Sequence, residues 1–208
     1  MKNKYWYLTL SNALLRFVLI LLLIYHFSIE DYLWSFFIML MIIVSFFPII
    51  LRRYVHIDLP LLFDFFVSLA LIFHIGNGLL DETMYIDIYN KFTHFFSAIV
   101  VAFTSLIILY VIHEFEGDIV NNKKKVLFDI IIITIALGVI WELMEWSTDI
   151  LFGLGSQVDL DDTMLDLIAD TLGGVVMSII GYLLIKRGVL PVIGRNIKRQ
   201  IDDIISSD

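Results

Sequence analysis

The stretch Trp141-Glu142-Leu143-Met144-Glu145-Trp146-Ser147-Thr148-Asp149 is followed, after a short glycine- and aspartate-rich link, by Asp159-Leu160-Asp161-Asp162-Thr163-Met164-Leu165-Asp166-Leu167-Ile168-Ala169-Asp170-Thr171-Leu172-Gly173-Gly174. Apolar sequence flanks both halves. The pair reads as two membrane-spanning helices with carboxylates inside them. An acid within a spanning helix is costly, and by default it marks a functional site.

The whole chain agrees with that reading. Of its 208 residues 60% are hydrophobic, against ~45–50% in a soluble domain. The excess is gathered into long runs, as in a multi-span membrane protein. There is no cysteine, which excludes disulfides and thiolate metal sites. The formal net charge is -8, but in a membrane protein the placement of charge says more than its sum.

From the start, basic Met1-Lys2-Asn3-Lys4 and the aromatic anchor Tyr5-Trp6-Tyr7 precede a first span over about Leu8–Phe27. No small-residue cleavage site follows it, so it reads as a retained anchor rather than a signal peptide. Further spans are expected over about Tyr32–Leu51, Pro60–Leu80, Lys91–Ile112, Val126–Leu151 and Thr163–Ile185. Each approaches the ~20 residues that cross a ~30 Å hydrocarbon core. In lipid every backbone polar group must be bonded internally, which makes the spans helices. Lys and Arg collect at Lys2 and Lys4, Arg52-Arg53, Lys123-Lys124-Lys125 and Lys186-Arg187, while the intervening loops are acidic. Cytoplasmic loops carry the excess of Lys and Arg, so both ends face inward.

The expectation is an all-α polytopic membrane helix bundle of six transmembrane helices over residues 1–188, in the cell membrane. A cytoplasmic tail covers 189–208. In that tail Ile193, Ile197, Ile201, Ile204 and Ile205 recur at helical spacing between charged residues. This fits an amphipathic helix on the inner leaflet; the alternative is a frayed polar end.

Orientation gives each polar residue a depth. Glu142, Glu145 and Asp149, spaced three and four apart, share one face of helix five with Gly138. Asp166 and Asp170 share a face of helix six that continues through Gly173 or Gly174, Met177 or Ser178, and Gly181. Small residues at such spacing let helix backbones approach closely. His94, with Ser97 and Ser105, enters on helix four, and His74 and Asn77 leave on helix three. All are expected in one layer near the outer surface. Crowded carboxylates in a low-dielectric site demand protons or a cation. Oxygen ligands with imidazole suit Mg²⁺, Mn²⁺, Ca²⁺ or Zn²⁺. The metal-ligand candidates are His94, Glu142, Glu145, Asp166 and Asp170, with Glu142, Glu145 and Asp166 as the catalytic candidates.

Plainer readings stand beside these. His74 reads first as a packed histidine bonded to a carbonyl. Asp159, Asp161 and Asp162 fit a solvated loop, with Asp162 as the N-cap of helix six. Asp149 reads as solvated, and Trp141 and Trp146 as interfacial anchors. Asp159-x-Asp161-Asp162 lacks the glycine and distal Glu of a calcium loop, which rejects an EF-hand. Arg16 and Asp64 lie inside spans one and three; they either pair or Arg16 snorkels to the cytoplasmic face.

The segments Asn90-Lys91-Phe92-Thr93-His94-Phe95, Trp141-Glu142-Leu143-Met144-Glu145-Trp146 and Gln157 through Gly174 resemble the YjdF-like family of bacterial and archaeal membrane proteins. More distantly they resemble VanZ-like proteins. The family pattern places a His-Phe helix start, a Glu-x-x-Glu-Trp helix and an Asp-Thr-x-x-Asp motif at His94, Glu142, Glu145, Asp162, Thr163 and Asp166. Where the family often has an acid four residues before the histidine, this chain has Asn90. The resemblance implies a polytopic membrane protein and supplies no reaction.

Three functions remain open. The first is a metal-assisted enzyme on a lipid or lipid-linked envelope substrate, in which a divalent ion activates water or polarises a phosphoryl oxygen. The second is a cation or proton carrier using the same acids, weakened by the lack of repeats and broken helices. The third is a non-catalytic module that binds an envelope component. No Ser-His-Asp or Cys-His arrangement is evident, no glycine-rich phosphate loop and no external basic patch for nucleic acid. Membrane lipids are the expected surroundings. Substrate and oligomeric state are not legible.

Overall fold

The computed structural model describes residues 6–55, 59, 61–79, 84–116, 123–153 and 155–207, and every regular element among them is helical. In chain order these are α1 (Trp6–Ser28), α2 (Tyr32–Ile50) with a π-helical turn Leu51–Val55, α3 (Leu61–Leu79), α4 (Met84–Glu116), α5 (Lys123–Phe152), α6 (Leu160–Lys186) and α7 (Val189–Ser207). Among the described residues five stretches are long and apolar enough to cross a membrane: Trp6–Ser28, Tyr32–Tyr54, Ile88–Ile112, Lys124–Phe152 and Leu160–Lys186. The third expected span falls on the apolar helix α3, Leu61–Leu79. The class is that of a helical membrane protein. The outward faces carry large apolar side chains, among them Leu14, Phe17 and Leu21 on α1, Phe128 and Ile132 on α5, and Leu172 and Ile179 on α6. In lipid such a surface needs no cover.

The chain divides into two compact units, residues 1–80 with 203–208 and residues 81–202. In the first, α1, α2 and α3 pack on one another. Leu19, Ile38 and Ile75, one from each helix, are fully buried together, with Leu22, Leu23, Met41, Ile42 and Ile72 around them. Asp31 caps α2 by accepting from Trp34 N at 3.2 Å, satisfying one of the free first-turn donors. Its other oxygen lies 3.1 Å from His26 Nδ1.

Arg16 does not snorkel. Its guanidinium pairs with Asp64 on α3, donates to Ser45 O on α2 at 2.6 and 3.2 Å, and lies 5.1 Å from the Phe46 ring centre. Asn12 Nδ2 donates to the other Asp64 oxygen at 2.8 Å. Four side chains on three helices thus spread two opposite charges over enough partners to hold them away from water.

In the second unit α6 packs against both α4 and α5, and α4 against α5. Glycine makes this possible. A Cβ on Gly173 would lie 2.6 Å from Phe95 O and 2.7 Å from Ala98 Cβ, so only a bare backbone fits against α4 there. Gly174 faces Thr134 and Gly181 faces Leu106. The small-residue face expected on helix six is the packing face.

The tail is helical from Val189. Gly188, at φ 74, turns the chain out of α6 in a conformation that suits glycine. Leu190 and Ile197 are buried, Gly194 meets the Tyr110 ring, and Lys198 Nζ donates to Glu114 O at 3.0 Å above the Phe115 ring. Val189, Val192 and Ile205 on the same helix remain exposed.

Candidate functional site

The first turns of α4 carry Asn90, Lys91 and His94, spacings that put all three toward one side of the helix. The C-terminal half of α5 carries Gly138, Trp141, Glu142 and Glu145, and the first three turns of α6 carry Asp162, Asp166 and Asp170. The three helices run through this level unbroken.

His94 stands at the centre and is 5% exposed. Its Nδ1 lies 3.5 Å from Asp170 Oδ1 and 3.9 Å from Glu142 Oε1, and its Nε2 lies 3.8 Å from Asp166 Oδ1. The two longer separations exceed a hydrogen bond, and the contact with Asp170 is at its limit. His94 Nε2 and Glu142 Oε1 are buried without a hydrogen-bond partner among the described residues. One atom each from His94, Glu142 and Glu145 lie within 4.8 Å of one another. Glu145 is held by Trp141, whose indole Nε1 donates to Oε1 at 2.8 Å. Asp170 lies against Gly138, where a Cβ would collide with its carboxylate.

Lys91 closes the α6 side. Its ammonium pairs with Asp162, donates to Asp162 O at 3.2 Å, and lies 3.0 and 3.1 Å from the two Asp166 oxygens. Asn90 Nδ2 also donates to Asp166, at 3.1 Å. Five acids thus face one permanent cation and one imidazole. Were all five ionised and His94 protonated, the cluster would hold three negative charges in excess. A group of like charges in low dielectric is relieved by a cation or by protons.

All five candidate ligands, His94, Glu142, Glu145, Asp166 and Asp170, lie in this unit and converge. His74 sits half-buried on α3 in the first unit, and the side chain of Asn77 lies outside the described residues. Ser105 turns back on its own helix, donating to Val101 O at 2.9 Å.

Two readings are corrected. Asp162 is not the N-cap of the last span: the helix starts at Leu160 and Asp159 is the cap, accepting from Asp162 N at 2.9 Å. That extra turn frees the Asp162 side chain for Lys91. Asp149 is not simply solvated. Its two oxygens accept from Ser156 N and Gln157 N, each at 2.7 Å, and so pin the α5–α6 link to the end of α5. Residue-type reasoning also passed over Lys91, which reads as the polar edge of a span. The available signal was its place three residues before His94, toward the side of helix four already assigned to that histidine.

A family model described as "Predicted membrane protein (DUF2238)" matches residues 9–187, which include every side chain of the cluster. An uncharacterised protein of Thermotoga maritima is 31% identical over 140 residues, covering 66% of this chain and 71% of that protein. No solved structure matches significantly. The chain is a member of the DUF2238 family of predicted membrane proteins.

Proposed function

We propose that His94, Glu142 and Glu145, flanked by Asp166 and Asp170, bind a divalent cation, and that this centre serves an enzyme acting on a lipid or lipid-linked envelope substrate. The carrying observation is that one ligand atom each of His94, Glu142 and Glu145 lies within 4.8 Å of the others, with Glu142 Oε1 unpartnered and Asp170 Oδ1 3.5 Å from His94 Nδ1. Ligands each ~2.1 Å from one ion stand about 3–4 Å apart, a spacing too long for direct bonds and right for a shared centre. The donor set, oxygen with one imidazole, suits Mg²⁺, Mn²⁺, Ca²⁺ or Zn²⁺. Bound there, such an ion would polarise a phosphoryl oxygen or activate water. The finer YjdF-like resemblance belongs with this reading and adds a motif set without a reaction.

The carrier reading uses the same ligands. It is less favoured because carrier sites gather near the bilayer midplane at interrupted helices, whereas this cluster lies toward one end of unbroken α4, α5 and α6. The test is elemental analysis of the purified protein, wild type against Glu145→Gln and Asp166→Asn. The wild type is expected to retain close to one divalent ion per chain and both variants to lose it. Unchanged metal content in both variants, or none in the wild type after incubation with all four ions, would end the reading. Turnover of a lipid-linked phosphate without flux in liposomes selects the enzyme, and flux selects the carrier.

A further inference from the structure

The opposite end of the second unit carries the other sign of charge. Lys123, Lys124 and Lys125 begin α5, Lys186 and Arg187 close α6, and Arg195, Lys198 and Arg199 lie on α7. A groove of about 500 Å³ runs between the end of α4 and α7, lined by Glu114, Val192, Arg195, Lys198, Arg199 and Asp202, with Asn196. We propose that this groove binds the headgroup of an anionic phospholipid, a monoanionic phosphodiester bearing hydroxyls.

Three observations carry the assignment. Charge is the first: three cationic side chains against two carboxylates leave the lining at +1, the complement of one phosphodiester. Basic pockets beside spanning helices on the cytoplasmic side are where such headgroups are held. Preorganisation is the second. Lys198 is fixed by Glu114 O at 3.0 Å and by the Phe115 ring 5.0 Å away, and Arg199 Nη2 is steadied by Asn196 Oδ1 at 3.0 Å. Lys198 and Arg199 are therefore held in place on the α7 side of the groove before a ligand arrives. The third is the neighbourhood: Val189 and Val192 are exposed on α7, giving acyl chains an apolar flank. The Glu114 and Asp202 carboxylates can accept from headgroup hydroxyls, which a choline cannot offer.

The test is native mass spectrometry of the full-length protein after exchange into mixed micelles holding equal phosphatidylglycerol and phosphatidylcholine. The wild type is expected to retain one phosphatidylglycerol in preference. Arg195→Gln/Arg199→Gln, both exposed positions, is expected to lower that retention about tenfold or more. Arg187→Gln removes a nearby charge outside the groove and is expected to leave it unchanged. Equal retention of the two lipids by the wild type, or an equal loss in Arg187→Gln, would overturn the proposal. Far-UV circular dichroism on each variant verifies that α7 and the bundle helices remain formed. A double variant with wild-type helix content and wild-type phosphatidylglycerol retention would overturn it too.

Discussion

At the scale of single residues the molecule keeps its charges in two very different kinds of company. Arg16 and Asp64 satisfy one another, with Asn12 and Ser45 O filling the remaining positions. Removing one partner strands the other, which costs ~3–5 kcal/mol for a buried pair. Arg16→Met is accordingly expected to lower the thermal midpoint of the detergent-solubilised protein sharply, and Arg16→Met/Asp64→Leu to recover most of that loss. A double variant no better than the single one would mean that the pair is not the unit of stability. In the other unit His94 Nε2 and Glu142 Oε1 have no hydrogen-bond partner among the described residues, and that incompleteness distinguishes a candidate site from a structural network. Glu142, Glu145, Asp166, Asp170 and His94 were legible because helical spacing fixes facing. Lys91, the Asp149 clamp and the true cap at Asp159 were not. Each depends on where a helix begins or a loop folds back, and boundaries are the part of a helix that periodicity defines least.

At the scale of elements, the contact of α4 with α6 determines whether the cluster exists at all. Gly173 lies three residues beyond Asp170, and the Phe95 carbonyl it touches follows His94 directly. A methyl group there meets a main-chain oxygen, which cannot rotate away as a side chain does. Gly173→Ala is expected to destabilise the protein by about 1–3 kcal/mol, read as a shifted thermal midpoint. It should also weaken divalent-ion retention, because the strain spreads His94 from Asp166 and Asp170. Gly174→Ala, where the nearest atom is the Thr134 side chain at 3.1 Å, serves as the milder comparison. Wild-type stability in Gly173→Ala would show that the two helices can separate freely. The small-residue stripe itself was readable; which glycine bears the closest approach required coordinates.

At the scale of the whole molecule the charge distribution sets orientation. In the second unit the acids of the cluster lie at one end of α4, α5 and α6 and the lysines and arginines at the other. The positive-inside rule then puts Lys124 in the cytoplasm and Val158 outside. The chain has no cysteine, so single replacements report without background. Val158→Cys is expected to react with a membrane-impermeant maleimide in intact cells, and Lys124→Cys only after lysis. The reverse pattern would invert the topology and place the carboxylate cluster at the inner face. Span number was nearly legible from apolar runs. The third run, expected over about Pro60–Leu80, falls on the apolar helix α3 (Leu61–Leu79).

The pairing of Arg16 with Asp64 also bears on how the protein is made. The two residues are 48 positions apart in the chain. At ~5–20 residues per second a ribosome needs roughly 2–10 s to synthesise that interval. Throughout it, α1 carries a guanidinium whose counter-ion has yet to be polymerised, and lone Arg costs about 2.5–3.5 kcal/mol on insertion. The first helix therefore has reason to linger at the translocation machinery until the third arrives, and to enter the bilayer in its company.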